Sequence, residues 1–123
     1  MRVFKAFACL CLTLAVAPPA AAHHSPVMFD QGKTITLTGT VRLFQWTNPH
    51  CYIQLVVEEN GHETEWNMEM GAPVYLFNRG WRPSILKPGD RITITANPLR
   101  SGANGGLVLS VAGPDGKPIG RGQ

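Results

Sequence analysis

The sequence predicts a mainly β domain: five short strands, with one short helix between strands 3 and 4. Three observations carry this reading. Apolar and polar residues alternate with period two in several runs, turn-forming Gly, Pro and Asn-Gly signals separate those runs, and one segment alone changes period.

The elements follow in order. His23 to Gly32 is polar and broken by proline. In the first strand Ile35, Leu37, Val41 and Leu43 share one parity, and Thr34, Thr36, Thr38, Thr40 and Arg42 the other. Gly39 inside that strand predicts a bulge or a sharp bend. Thr47-Asn48-Pro49 is a turn, and the second strand points Cys51, Ile53, Leu55 and Val57 inward. Asn60-Gly61 is a hairpin signal. The third strand runs from about His62 to Met70, with Thr64, Trp66, Met68 and Met70 on one parity. Pro73 near the start and Gly80 past the end mark one short helix over Val74-Tyr75-Leu76-Phe77. Lys87-Pro88-Gly89-Asp90 is a turn into strand four, about Arg91 to Ala96. Strand five is about Leu107 to Val111, after a flexible loop from Ser101, and the Gly/Pro-rich tail from Gly113 is expected to turn and then fray. A three-strand meander, a helix and two further strands describe the OB-fold, a five-stranded Greek-key barrel. An open five-stranded sheet with the helix on one face is the alternative. Ile53, Leu55, Trp66, Ile92 and Leu109 are the expected core.

Ahead of the domain lies an export signal. Arg2 and Lys5 precede an apolar run from Ala6 to Val16, and Pro18-Pro19 leads to Ala20-Ala21-Ala22, an A-x-A cleavage site. That run is too short to span a bilayer, and no second apolar stretch of about 18 residues follows. The expected organisation is a signal peptide over 1–22, an extension over 23–32 and the barrel over 33–120, in the periplasm. Cleavage removes Arg2 and Lys5, which leaves 9 of the 11 basic residues against 8 acidic ones. So balanced a chain demands no nucleic-acid partner. Two of the three cysteines leave with the signal, so Cys51 has no internal disulfide partner. It is either buried and inert or a reactive thiol.

The mature chain resembles a family of short bacterial exported proteins whose domain has no assigned function. The resemblance is carried by His23-His24-Ser25 with Asp30, by Gly39-Thr40-Val41 leading to Trp46-Thr47-Asn48-Pro49-His50, by Arg79-Gly80-Trp81, by Leu86-Lys87-Pro88-Gly89-Asp90, and by Asp115-Gly116-Lys117. It implies export and a small barrel, and no activity. Trp66-Asn67-Met68-Glu69-Met70 is also similar to the metal-binding strand of the CusF-like periplasmic copper/silver-binding proteins, themselves small OB-fold barrels. They hold Cu(I) with a His, a Met-x-Met pair and a nearby Trp. Here one residue separates Trp from the first Met, where that family has two.

Three constellations could carry function. Met68 and Met70 are soft donors suited to Cu(I), or plain core side chains. His23 (with a free α-amine after cleavage), His24 and His50 are nitrogen donors suited to copper or zinc, or else a loose start and a turn residue. His62 is expected to be exposed. Phe44, Trp46 and Tyr52 share the parity opposite the core and form either a ligand-stacking face or a bed for His23 to Gly32, with Met28 and Phe29 in contact. That second arrangement would bring His23 and His24 towards His50. Nucleophile elbows, phosphate loops and Cys-His pairs are lacking in the sequence, and Glu58, Glu59, Glu63, Glu65 and Glu69 read as a solvated strand face. The expectation is a periplasmic binding module rather than an enzyme, a carrier or sensor for copper or another transition metal. The alternative is a module that docks a peptide, glycan or partner protein on the aromatic face without metal.

Overall fold

A computed structural model describes residues 26–122; the signal segment, His23 and His24 lie outside the described residues. A short 3-10 turn (Pro26–Met28) precedes β1 (Ile35–Gln45), β2 (Tyr52–Glu59), β3 (His62–Glu69), α1 (Pro73–Asn78), β4 (Arg91–Pro98) and β5 (Gly105–Ala112). The strands close into a barrel in the order β1-β2-β3-β5-β4, with β4 returning to β1. Only β3 and β5 run parallel. This is the OB-fold topology, with its helix between β3 and β4.

Local signals sit where local chemistry puts them. Asn60 and Gly61 both take positive φ in the two-residue β2–β3 hairpin. Pro73 opens α1, and Gly80 at φ 87° follows its end. Gly89 at φ 95° completes the turn before β4, which Asp90 locks by accepting the Lys87 amide at 2.8 Å. The core is Leu37, Val41, Ile53, Leu55, Val57, Met68, Met70, Ile92, Ile94, Val108 and Val111, closed at one end by Leu76, Trp81 and Leu86. Of the expected core, Ile53, Leu55 and Ile92 are buried. Trp66 is half-buried because β5 covers β3 only over Asn67–Glu69, so the barrel wall stands open beside it.

Two bulges reverse parity where the sequence shows steady alternation. Val41 faces Leu55 but Leu43 faces Gln54, so Arg42 is an extra residue. Leu43 therefore turns outward, at 41% exposure, and Phe44, opposite Ile53, turns in. In β5 the pairing jumps from Ala96–Val108 to Thr95–Ser110, which makes Leu109 the extra residue. Val108 and Val111 take the core positions and Leu109 is only half-buried. The bend expected at Gly39 lies where β1 changes partner. Gly39 pairs with Ile92 of β4, and Thr40 pairs with both Arg91 and Val56.

The tail does not fray. The Ile119 amide donates to Val111 O at 2.8 Å along the free edge of β5, and the Arg121 amide donates to Arg79 O at 2.8 Å. A polar-looking terminus is thus ordered by an edge that β3 leaves unpaired.

Candidate functional site

Strand period separates the metal-ligand candidates. Met68 and Met70 point into the barrel and are fully buried. Met68 faces Ile53 across the ladder, and its methyl group packs over Gly106. Glu69, one residue out of phase, points to the outer face. There its Oε1 lies 3.0 Å from His50 Nδ1. That separation suits a hydrogen bond but the direction does not, and Nδ1 is enclosed without a partner in good geometry. The pair is a close contact. His50 and the two thioethers therefore lie on opposite sides of one sheet. His62 is exposed at the hairpin. Among the described residues, no three His, Cys, Asp or Glu side chains gather as a metal-holding group.

Tyr52 stands opposite Glu69 on the outer face. Its phenol is pushed above the ordinary tyrosine value, first by burial, then by the charge of Glu69 and a hydrogen bond to it. Cys51 is fully buried, and burial raises its thiol above the ordinary value, against a smaller lowering by a backbone hydrogen bond at Thr47. This is an inert environment. Iodoacetamide at pH 8 is expected to leave Cys51 unmodified in the folded protein and to alkylate it after unfolding. Rapid native labelling, followed by mass spectrometry, would contradict the placement.

The aromatic trio does not share one face. The Arg42 bulge turns Phe44 and Trp46 towards the core end of the barrel, and Tyr52 stays outside. Phe44 meets Trp46 edge-on at 5.9 Å and Trp81 at 6.0 Å. The described part of the N-terminal segment docks elsewhere. Phe29 bridges Leu99, and the Asp30 amide donates to Pro98 O at 2.8 Å, where β1 begins rather than where it ends. His23 and His24 are beyond the described residues.

The surface that gathers apolar side chains is on α1. The helix has six residues and turns only Leu76 into the core. Val74, Tyr75 and Phe77 stand outside at 62%, 67% and 53% exposure. Trp46, Pro73, Val74, Phe77 and Asn78 line a shallow groove of about 260 Å³. Arginines rim it. The Arg82 guanidinium stacks over Phe77, 3.7 Å from the ring centre, and donates to Phe77 O at 2.9 Å. Arg121 Nη2 donates to Asn78 O at 2.7 Å, and Arg79 Nη1 to Gly122 O at 3.1 Å. Among the described residues none of these three arginines forms an ion pair with a carboxylate. Sequence reasoning passed over this face, yet a signal was there. Four consecutive apolar residues in so short a helix cannot all face one core.

Comparison with known proteins adds a family and a distant likeness. The profile of a family of unknown function, DUF6152, matches residues 11–110. No curated protein matches the chain. Among solved structures it is similar to the mitochondrial single-stranded DNA-binding protein Rim1 of S. cerevisiae, at 10% identity and a TM-score of 0.49, covering 73% of this chain and 96% of that one.

Proposed function

The chain belongs to the DUF6152 family, and we propose that it is an exported, non-catalytic binding module that docks a partner protein on the α1–Trp46 surface. The observation that supports this is the exposure of Val74, Tyr75 and Phe77 beside the groove that Trp46 lines. Contiguous exposed apolar side chains on a small domain mark interaction sites. Aromatic side chains are the usual energetic anchors of such sites. A sugar would need polar partners for its hydroxyl groups, and the groove lining offers only the Asn78 amide and the Trp46 indole N–H. Export rests on the basic residues, apolar run and A-x-A site of the first 22 residues. Copper is the second reading: Met68 and Met70 lie inside the barrel and His50 outside it, so the thioethers and that imidazole would serve separate sites.

A photo-crosslinking amino acid at Tyr75, in protein exported by living cells, is expected to give discrete protein adducts. The same group at Thr36, exposed on β1, should give none. With the adduct partner purified, Trp46→Ala should weaken binding by about 2 kcal/mol, the scale of an interface anchor. Equal labelling from both positions, or binding indifferent to Trp46→Ala, would sink the reading.

A further inference from the structure

We infer that the occupant of the α1–Trp46 groove is a protein segment in which an apolar anchor is followed by acidic side chains. The inference rests on the reading of this face as the docking surface and adds the chemistry of the partner.

The argument starts from charge. Arg82 and Arg121 hold the backbone carbonyls of Phe77 and Asn78, two residues that line the groove, and Arg79, next to Asn78 in the chain, holds that of Gly122. A guanidinium carries five N–H donors in a rigid fork. One or two of them are used here, so each arginine is positioned while its other donors face outward. Of the other six described basic residues, Lys33, Arg42, Arg100 and Lys117 each lie near a carboxylate, from Asp30, Glu65, Asp30 and Asp115, and only Lys87 and Arg91 do not. The groove rim therefore concentrates cations without intramolecular counter-charge beside an apolar surface. Carboxylates on the partner would complete it, since a fixed guanidinium matches a carboxylate in two parallel bonds.

Shape and polarity select a protein over other anions. The groove is concave, with Trp46, Pro73, Val74 and Phe77 as walls. It suits one inserted side chain, such as Leu or Phe, and a bilayer surface presents no such projection. A nucleobase would bring several polar edge atoms into a lining whose only polar side-chain groups are the Asn78 amide and the Trp46 indole N–H, and stripping them of water without enough partners is costly.

The test uses the full exported chain and a phage-displayed library of random 12-residue peptides. Selected peptides are expected to place Asp or Glu within a few residues of Leu, Phe or Trp. Synthetic copies with Asn and Gln for the acids should bind more weakly. Arg82→Gln and Arg121→Gln should each weaken the acidic peptide roughly two- to fivefold in Kd, as for exposed ion pairs. Raising the salt concentration should weaken it further. Arg121→Glu should shift the selection towards Lys-bearing peptides. Circular dichroism on each variant separates misfolding from lost contact. Peptides that lose binding in Trp46→Ala yet ignore acid-to-amide replacement would overturn this inference and leave the docking surface standing. Peptides indifferent to Trp46→Ala, or an empty selection, would overturn both. Tighter binding of phosphatidylglycerol vesicles or of a thymidine oligonucleotide than of any selected peptide would overturn the inference in favour of a membrane or nucleic-acid surface.

Discussion

Trp81→Ala is expected to destabilise the domain by about 3–5 kcal/mol, the usual cost of emptying a buried tryptophan site. Trp81 is 2% exposed and closes the core beneath Phe44. Its Nε1 donates to Arg121 O at 3.3 Å. Gly120, at φ 64°, lies so close to the indole that any side chain there would collide with it. One residue thus ties the barrel end to the segment after α1 and to the tail. Trp81→Phe keeps most of the apolar contact and leaves Arg121 O without its donor, so it should cost less. Urea unfolding of both variants checks the ranking. A loss below about 1 kcal/mol for Trp81→Ala would mean that the site collapses freely or is not the keystone of this end. Because the tail carries Arg121 to the groove, the alanine variant should also impair docking wherever it still folds.

The elements that could be read from sequence are those decided by neighbours in the chain. The Asn60-Gly61 hairpin, the Pro73 and Gly80 ends of α1 and the Lys87–Asp90 turn depend on φ preferences within a few residues. The bulges at Arg42 and Leu109 depend on how one strand registers against another. Period two in a single strand carries no record of that. The error then propagates: with Arg42 as an extra residue, Leu43 leaves the core and Phe44 enters it, and the expected face of Phe44, Trp46 and Tyr52 breaks apart. The order of the tail is hidden from the sequence for the same reason, since its partners, Val111 and Arg79, lie on β5 and at the end of α1.

Parity was right for Met68 and Met70 and still could not decide their role, because core packing and inward ligation place them alike. What the structure adds is the outward position of His50 beside Glu69, which separates that imidazole from the two thioethers. That position depends on the path of the chain through Thr47–Pro49. The α1 face was legible in principle from Val74-Tyr75-Leu76-Phe77, and the arginine rim was not. Arg121 reaches Asn78 only because the tail folds back.

Leu55→Ala is expected to cost about 2–5 kcal/mol, and its coupling to Gly39 tests the bend that closes the barrel. Leu55 is fully buried between Val41 of β1 and Trp66 of β3. It also presses on Gly39, where β1 passes from β4 to β2. A methyl group on Gly39 would lie 2.9 Å from Leu55 Cγ and closer still to the carbonyl oxygen of Val56. Gly39→Ala alone should therefore cost about 1–3 kcal/mol, as overpacking does. The leucine side chain can be cut away, but the Val56 carbonyl belongs to the ladder and stays. The double variant should lose less than the sum of the two single losses, with incomplete relief. Coupling between touching sites runs to about 0.5–3 kcal/mol, and independent sites add within about 0.3–0.5 kcal/mol. Urea unfolding of the wild type, both single variants and the double variant measures the difference. Strict additivity would show that Leu55 and Gly39 do not meet, and a near-neutral Leu55→Ala would show that β2 does not point this residue inward. The expected result, a costly Leu55→Ala that softens Gly39→Ala, follows only if the barrel closes at this bend.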